Sequence, residues 1–240
     1  LLPSMTNGSA YVVYSSATDR AGNERVQNLG GFTYDNQVPV AGIALPADGG
    51  FYNALPTVSG TSSDNVGVST IALSVQDLTQ AAPNCYAPGA GFTAACPAWF
   101  AAFGSAGAWT LSGVTWTDNH RYVVASRATD LAVNAQSVFA TGVSSNTFVF
   151  ALTAPLAGLT TPNAARVIGL PTISGTASVA APNQLGKVEV RVLRQTGLIR
   201  YWNPVSLAFD LDASVTNPEL AFATATYAVD WTNWTLSSAI

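Results

Sequence analysis

The sequence predicts an all-β protein assembled from repeated units of sandwich size, and three observations carry that expectation. Short β-branched and aromatic runs alternate with clusters of Gly, Pro, Asn and Asp along the chain. No segment holds a helical period over a dozen residues. The sequence also resembles itself at spacings of 111 to 125 residues.

Three pairs of segments carry the self-resemblance. Tyr11-Val12-Val13-Tyr14, leading to Asp19 and Asn23, matches Tyr122-Val123-Val124-Ala125, leading to Asp130 and Asn134, 111 residues on. Leu55-Pro56-Thr57 and Ser59-Gly60-Thr61 return as Leu170-Pro171-Thr172 and Ser174-Gly175-Thr176, 115 residues on. Trp109-Thr110-Leu111-Ser112 returns as Trp234-Thr235-Leu236-Ser237, 125 residues on.

The elements follow in order. Strands are predicted over Tyr11 to Ala17 and Val26 to Tyr34. From Val66 to Val75, Ile71, Leu73 and Val75 share one face and Thr70, Ala72 and Ser74 the other, the alternation of a strand with one buried side. The Ala-rich stretch from Ala94 to Ala108 has room for a short turn of helix. Val188, Val190 and Val192 repeat the buried face, against Lys187, Glu189, Arg191 and Arg194 outside.

Composition narrows the function. Charged residues are only 9% of the 240, hydrophobic ones 48%, and the net charge is −4. Lys187 is the single lysine and the arginines are scattered, so no basic patch exists for nucleic acid. No apolar run approaches the ~18–20 residues a membrane-spanning helix needs. With one histidine, His120, read as a surface residue of a turn, and no Ser/His/Asp or Cys/His set, the sequence predicts no enzyme, no catalytic residues and no cofactor. Cys85 and Cys96 form an even pair at loop spacing, which suits a disulfide in an oxidising compartment; two buried free thiols are the alternative.

One order of signals recurs: a strand opened by Pro39, the Ser59-Gly60-Thr61 strand end followed by Ser63-Asp64-Asn65-Val66-Gly67-Val68, a Trp strand, and a Tyr strand running into Ala17-Thr18-Asp19-Arg20-Ala21-Gly22-Asn23. This order resembles the bacterial immunoglobulin-like domains found in tandem arrays on large cell-surface proteins. The resemblance implies tandem immunoglobulin-like β-sandwiches, an extracellular location on the cell surface, and a structural role in a rod, stalk or filament. Asp130-Leu131-Ala132-Val133-Asn134 lacks the Gly, so its turn is expected to differ.

Boundaries set by the repeat give residues 1 to about 38 as the last strands of one domain, about 39 to 154 as a complete domain, and about 155 to 240 as the first part of another. One complete central domain is thus flanked by two complementary partial ones. Joining Ile240 to Leu1 of a second copy would place Tyr11 17 residues after Trp234, against 13 from Trp109 to Tyr122. Further copies of the chain, head to tail, are therefore the expected partners. Continuation within a longer array and closure of the two fragments on each other are the alternatives. Tyr11, Val13 and Phe32 are the expected assembly strand residues, and Trp109 and Trp234 the core anchors.

Remaining features have weaker readings. Asp19, Asn23, Asp130 and Asn134 suit turns whose side chains bond nearby amides; a calcium ion is the sharper reading, but each turn offers one carboxylate, so no metal residues are assigned. Six tryptophans allow an aromatic platform for a surface glycan, the basis of an alternative reading as an adhesin or glycan-binding module; core packing is the other use of such residues. A spacer attached to a secreted enzyme is a third reading.

Overall fold

A computed structural model describes residues 3–214 and 217–237. Leu1 and Ile240, which a head-to-tail join would link, lie outside the described residues. The chain divides into two compact units, Leu1–Ala151 and Leu152–Ile240. The described residues are all-β apart from one short 3₁₀ turn, Pro218–Ala221.

The first unit opens with a hairpin of β1 (Ser9–Thr18) and β2 (Glu24–Tyr34), which forms a two-stranded sheet of its own. The strands that follow are β3 (Val40–Leu45), β4 (Gly50–Tyr52), β5 (Thr57–Ser63), β6 (Val68–Asp77), β7 (Cys85–Ala87), β8 (Gly91–Ala94), β9 (Phe100–Ala101), β10 (Phe103–Ser105), β11 (Ala108–Ser112), β12 (His120–Asp130) and β13 (Ser145–Phe150). They make two sheets, one ordered β10-β11-β5-β3 and the other β4-β13-β12-β6-β7-β8, with β9 on β6. Both contribute to one core: Ile43, Val58, Trp109 and Leu111 from the first, Ile71, Leu73, Val75, Tyr122, Val124 and Phe148 from the second. The result is a sandwich-like all-β fold. Along β12 the alternation is strict, with Tyr122, Val124, Ser126, Ala128 and Asp130 buried. Period-two patterning alone selects that face.

The second unit contains β14 (Leu156–Thr161), β15 (Thr172–Ser178), β16 (Glu189–Val190), β17 (Leu193–Arg194), β18 (Arg200–Asn203), β19 (Ala208–Asp212), β20 (Ala223–Thr224), β21 (Thr226–Tyr227) and β22 (Asn233–Ser237). Its ladders reproduce those of the first unit in register. Gly60 faces Trp109 and Ile43; Gly175 faces Trp234 and Leu159. In both units a Cβ on that glycine would collide with the tryptophan ring and with the carbonyl of Gly42 or Gly158. Glycine is required there by the close approach of the indole. Ala72 pairs with Ala101 and Leu73 with Phe100, while Glu189 pairs with Thr224 and Val190 with Ala223. The flanking bond from the Ala102 amide to the Ile71 carbonyl returns as Ala225 to Val188.

Two sequence expectations are corrected. The Ala94–Ala108 stretch forms β9, β10 and the start of β11 rather than a helical turn, because pairing with β6 and β5 outweighs the weak helix preference of alanine. The Val188–Arg194 strand is broken into β16 and β17, two residues each.

Candidate assembly site

The hairpin and the end of the middle sandwich share one local structure. The Thr6 amide donates to Tyr11 Oη at 2.7 Å, and the Thr117 amide to Tyr122 Oη at 2.8 Å. Asp19 accepts from the Asn23 amide (2.9 Å) and from Asn23 Nδ2 (2.8 Å), and Asp130 accepts from the Asn134 amide and Nδ2, both at 2.8 Å. Tyr11 lies opposite Phe32 with their rings stacked at 5.5 Å, as Tyr122 lies opposite Phe148 at 5.3 Å. The turn expected to differ at Asp130 therefore keeps its form. Val133 takes φ 73° where Gly22 takes φ 87°, so the Asp–Asn bonds impose the left-handed residue on a β-branched side chain.

Burial separates the two copies. Tyr122 and Val124 are fully buried and Phe148 is 1% exposed, whereas Val13 is 45% and Phe32 43% exposed. Val12, Tyr14, Val26 and Leu29 add to the exposed apolar surface of the hairpin. Electrostatics follow burial. The Thr6 amide holds the Tyr11 phenol below its ordinary value, while burial pushes the Tyr122 phenol up against the opposing Thr117 bond. Hydrogen bonds from the Asn23 side chain and amide likewise hold the Asp19 carboxyl below the usual range.

The second unit differs from the middle sandwich in its strand pairing. Among the described residues, every ladder of the middle sandwich has a counterpart there except β12 on β13, β12 on β6 and β13 on β4. Along Val188–Val192, the edge corresponding to the one that β12 occupies on β6 carries no strand among the described residues. Among the described residues, the core cluster around Trp234 has five buried members, Ile173, Ala177, Val188, Ala225 and Trp234, with Val190 and Val192 only partly covered. Val167 and Ile168, between β14 and β15 in the position that β4 holds in the middle sandwich, are exposed.

The remaining predicted residues fall as follows. Cys85 and Cys96 are joined in a disulfide that ties β7 to the end of β8. Trp109 and Trp234 are buried, at 1% and 4% exposure. Trp109 Nε1 donates to the Thr61 carbonyl at 3.2 Å, whereas Trp234 Nε1 is buried without an acceptor. Trp99 stacks on Phe139, and the Arg127 guanidinium lies over the Trp99 ring, 4.4 Å from its centre. His120 is not a surface turn residue: it opens β12, and its Nδ1 lies 2.6 Å from the fully buried Asp77 carboxylate. That pairing spans 43 residues and had no signal in the local sequence.

A second grouping escaped the sequence. Asp35, Asp64 and Asp130 bring carboxylate oxygens within 4.8 Å of one another where the hairpin meets the middle sandwich. Asp64 accepts from the Val66 and Gly67 amides, Asp35 from the Gln37 amide, and the Asp35 carbonyl from Asn134 Nδ2. Burial raises the Asp64 carboxyl, and the amides of Gly67, Val66 and Asn65 outweigh it, leaving it below its ordinary value. Asp35 Oδ2 and Asp64 Oδ1 are buried without a hydrogen bond. Oxygen-only donors of this kind are the type a hard divalent cation accepts, at three of the six to eight that calcium takes. Among the described residues no helix is long and apolar enough to cross a membrane. No protein-family model matches the chain, and no curated protein matches its sequence.

Proposed function

We propose that the chain is a non-enzymatic structural protein of the bacterial cell surface, in which immunoglobulin-like sandwiches build a rod or filament by head-to-tail completion. The observation that carries this reading is the hairpin. It has the conformation of the β12–β13 end of a sandwich, with the same tyrosine and Asp–Asn bonds, yet among the described residues its two strands pair only with each other. A two-stranded ribbon is marginal in water and gains stability from a third strand or a packed face. Its apolar residues ask for a partner.

The strand orders β10-β11-β5-β3 and β13-β12-β6 support the immunoglobulin-like assignment, since they follow the D-E-B-A and G-F-C orders of that sandwich. Tyr122, reaching back to the Thr117 amide from the start of β12, supports it further as the tyrosine corner of such folds. The disulfide suits an oxidising exterior. Scarce charge suits a surface that packs against its neighbours. A head-to-tail contact joins two different surfaces and repeats without closing, giving an open fibre.

Electron microscopy and a denaturing gel test the proposal together. Filaments are expected from the 240-residue chain, and deletion of residues 1–38 should abolish them. A native polypeptide far larger than 24.8 kDa would place the copies in one continuous array. A chain that stays monomeric and fully folded at high concentration would refute completion by another copy.

A further inference from the structure

The missing ladder also carries a register. In the middle sandwich β12 runs antiparallel to β6, with Val124 opposite Val75, Ser126 opposite Leu73 and Ala128 opposite Ile71. The seat for β12 is therefore the free edge of the strand whose other edge bonds β9. In the second unit that strand is Val188–Val192: Glu189 and Val190 stand to β20 as Ala72 and Leu73 stand to β9, and Leu193 faces Tyr201 as Gln76 faces Cys85. Both edges are thereby identified, and the one matching the β12 side is the bare one.

We infer that β1 of a second copy adds along Val188–Val192 with Val13 opposite Val192, Ser15 opposite Val190 and Ala17 opposite Val188. The inference rests on the completion reading above and specifies its partner surface. The occupant is a second copy because β1 already has the shape of β12. Its tyrosine is held by the Thr6 amide, and its turn is closed by Asp19 and Asn23. The register is selected by side chains. Val13 and Ala17 have the sizes and spacing of Val124 and Ala128, which are buried on β12, and Ser15 repeats the buried Ser126. A slip of one residue would turn the opposite face of β1, with Val12 and Tyr14, toward the core and leave Val13 outside. The added ladder would also continue β16 and β17 into one strand, which accounts for their interruption in the uncompleted unit.

Cysteine pairing between two separately made full-length variants tests this. Directly opposite residues on antiparallel strands have Cβ atoms ~4.5–5.5 Å apart, close enough for a disulfide after small adjustment. Chains carrying Ser15→Cys, mixed with chains carrying Val190→Cys under mild oxidation, should give a cross-linked dimer on a non-reducing gel. The linked peptides are identified by mass spectrometry. The pair Ser15→Cys with Arg191→Cys, on opposite faces in this register, should give at least about tenfold less. Equal yields from both pairs, or filaments with neither cross-link, would overturn the register while leaving head-to-tail assembly standing. A double variant, Ser15→Cys with Val190→Cys, that links within one chain at monomer mass would overturn the second copy as occupant. Absence of both filaments and cross-links would overturn the inference together with the function it rests on.

Discussion

The hairpin β1–β2 and the β12–β13 pair are two copies of one structure in two environments. Both have the tyrosine hydroxyl bonded to an amide five residues back, both stack that tyrosine on a cross-strand phenylalanine, and both close with an aspartate gripping an asparagine. In β12 the inward residues are buried, whereas in β1 Val13 stands in solvent. Local geometry here comes from local hydrogen bonds, while burial requires a third strand. Of the sixteen buried residues in the middle core, Tyr122, Val124, Ala128, Phe148 and Phe150 come from β12 and β13. Among the described residues, the second unit lacks that contribution, and the matching core cluster has five buried members.

The largest effect that separates the copies is side-chain deletion. Tyr122→Ala removes a fully buried aromatic that touches Phe92, Trp116 and Phe148, and should cost the middle sandwich about 3–5 kcal/mol in denaturant unfolding. Tyr11→Ala at the matching position removes a half-buried ring that stacks on Phe32 and whose hydroxyl accepts from the Thr6 amide, and should cost the unassembled chain about 1 kcal/mol, well below the cost at Tyr122. The same variant should weaken filament formation strongly. Equal costs at both positions would mean that the hairpin is already covered, and would break the comparison.

What the sequence made legible follows the same division. Asp19, Asn23, Asp130 and Asn134 lie within a few residues of one another in each turn, so their pairing could be read from spacing. The recurrence of Gly60 and Trp109 as Gly175 and Trp234 was legible, whereas the packing of the indole against the glycine was not, since it joins strands about 50 residues apart. The carboxylates of Asp35, Asp64 and Asp130 come from a connector, a turn and a strand end; only the packed fold brings them together. Asp77 and His120 meet across two strands for the same reason. The Ala94–Ala108 stretch misleads because its strands are two and three residues long and owe their form to neighbours.

A smaller effect sharpens the contrast between the turns. Val133 is 79% exposed and sits at φ 73°, a conformation costly for a β-branched residue, whereas Gly22 adopts the equivalent geometry freely. Val133→Gly should stabilise the middle sandwich by about 1 kcal/mol, the left-handed penalty relieved less the greater entropy of an unfolded glycine. Gly22→Val should weaken the hairpin turn correspondingly, read as faster amide exchange at Asn23. A destabilised Val133→Gly would mean that the valine side chain supplies packing that its exposure does not suggest.

The smallest effect is ionisation, and it separates the copies by sign. The Thr6 amide stabilises the Tyr11 phenolate, so this half-buried tyrosine should titrate below the ordinary value of 10.0. Burial disfavours the Tyr122 phenolate, so Tyr122 should titrate above 10.0 despite its similar bond from Thr117. For Tyr122 the folded value exceeds the unfolded one. Its contribution to stability is therefore complete below pH 10 and declines as pH rises through the ordinary value toward the folded one. For Tyr11 the folded value is the lower, so its contribution appears only as pH rises through the folded value and is complete above 10.0. Phenolate absorbance compared with Tyr11→Phe and Tyr122→Phe variants assigns the two titrations. Assembly then gives a second reading on the same chromophore: once β1 is seated on another copy, Tyr11 acquires the burial of Tyr122, and its titration should move upward past 10.0. A Tyr11 midpoint that is the same in monomers and filaments would show that the tyrosine stays in water after assembly, which is incompatible with β1 taking the place of β12.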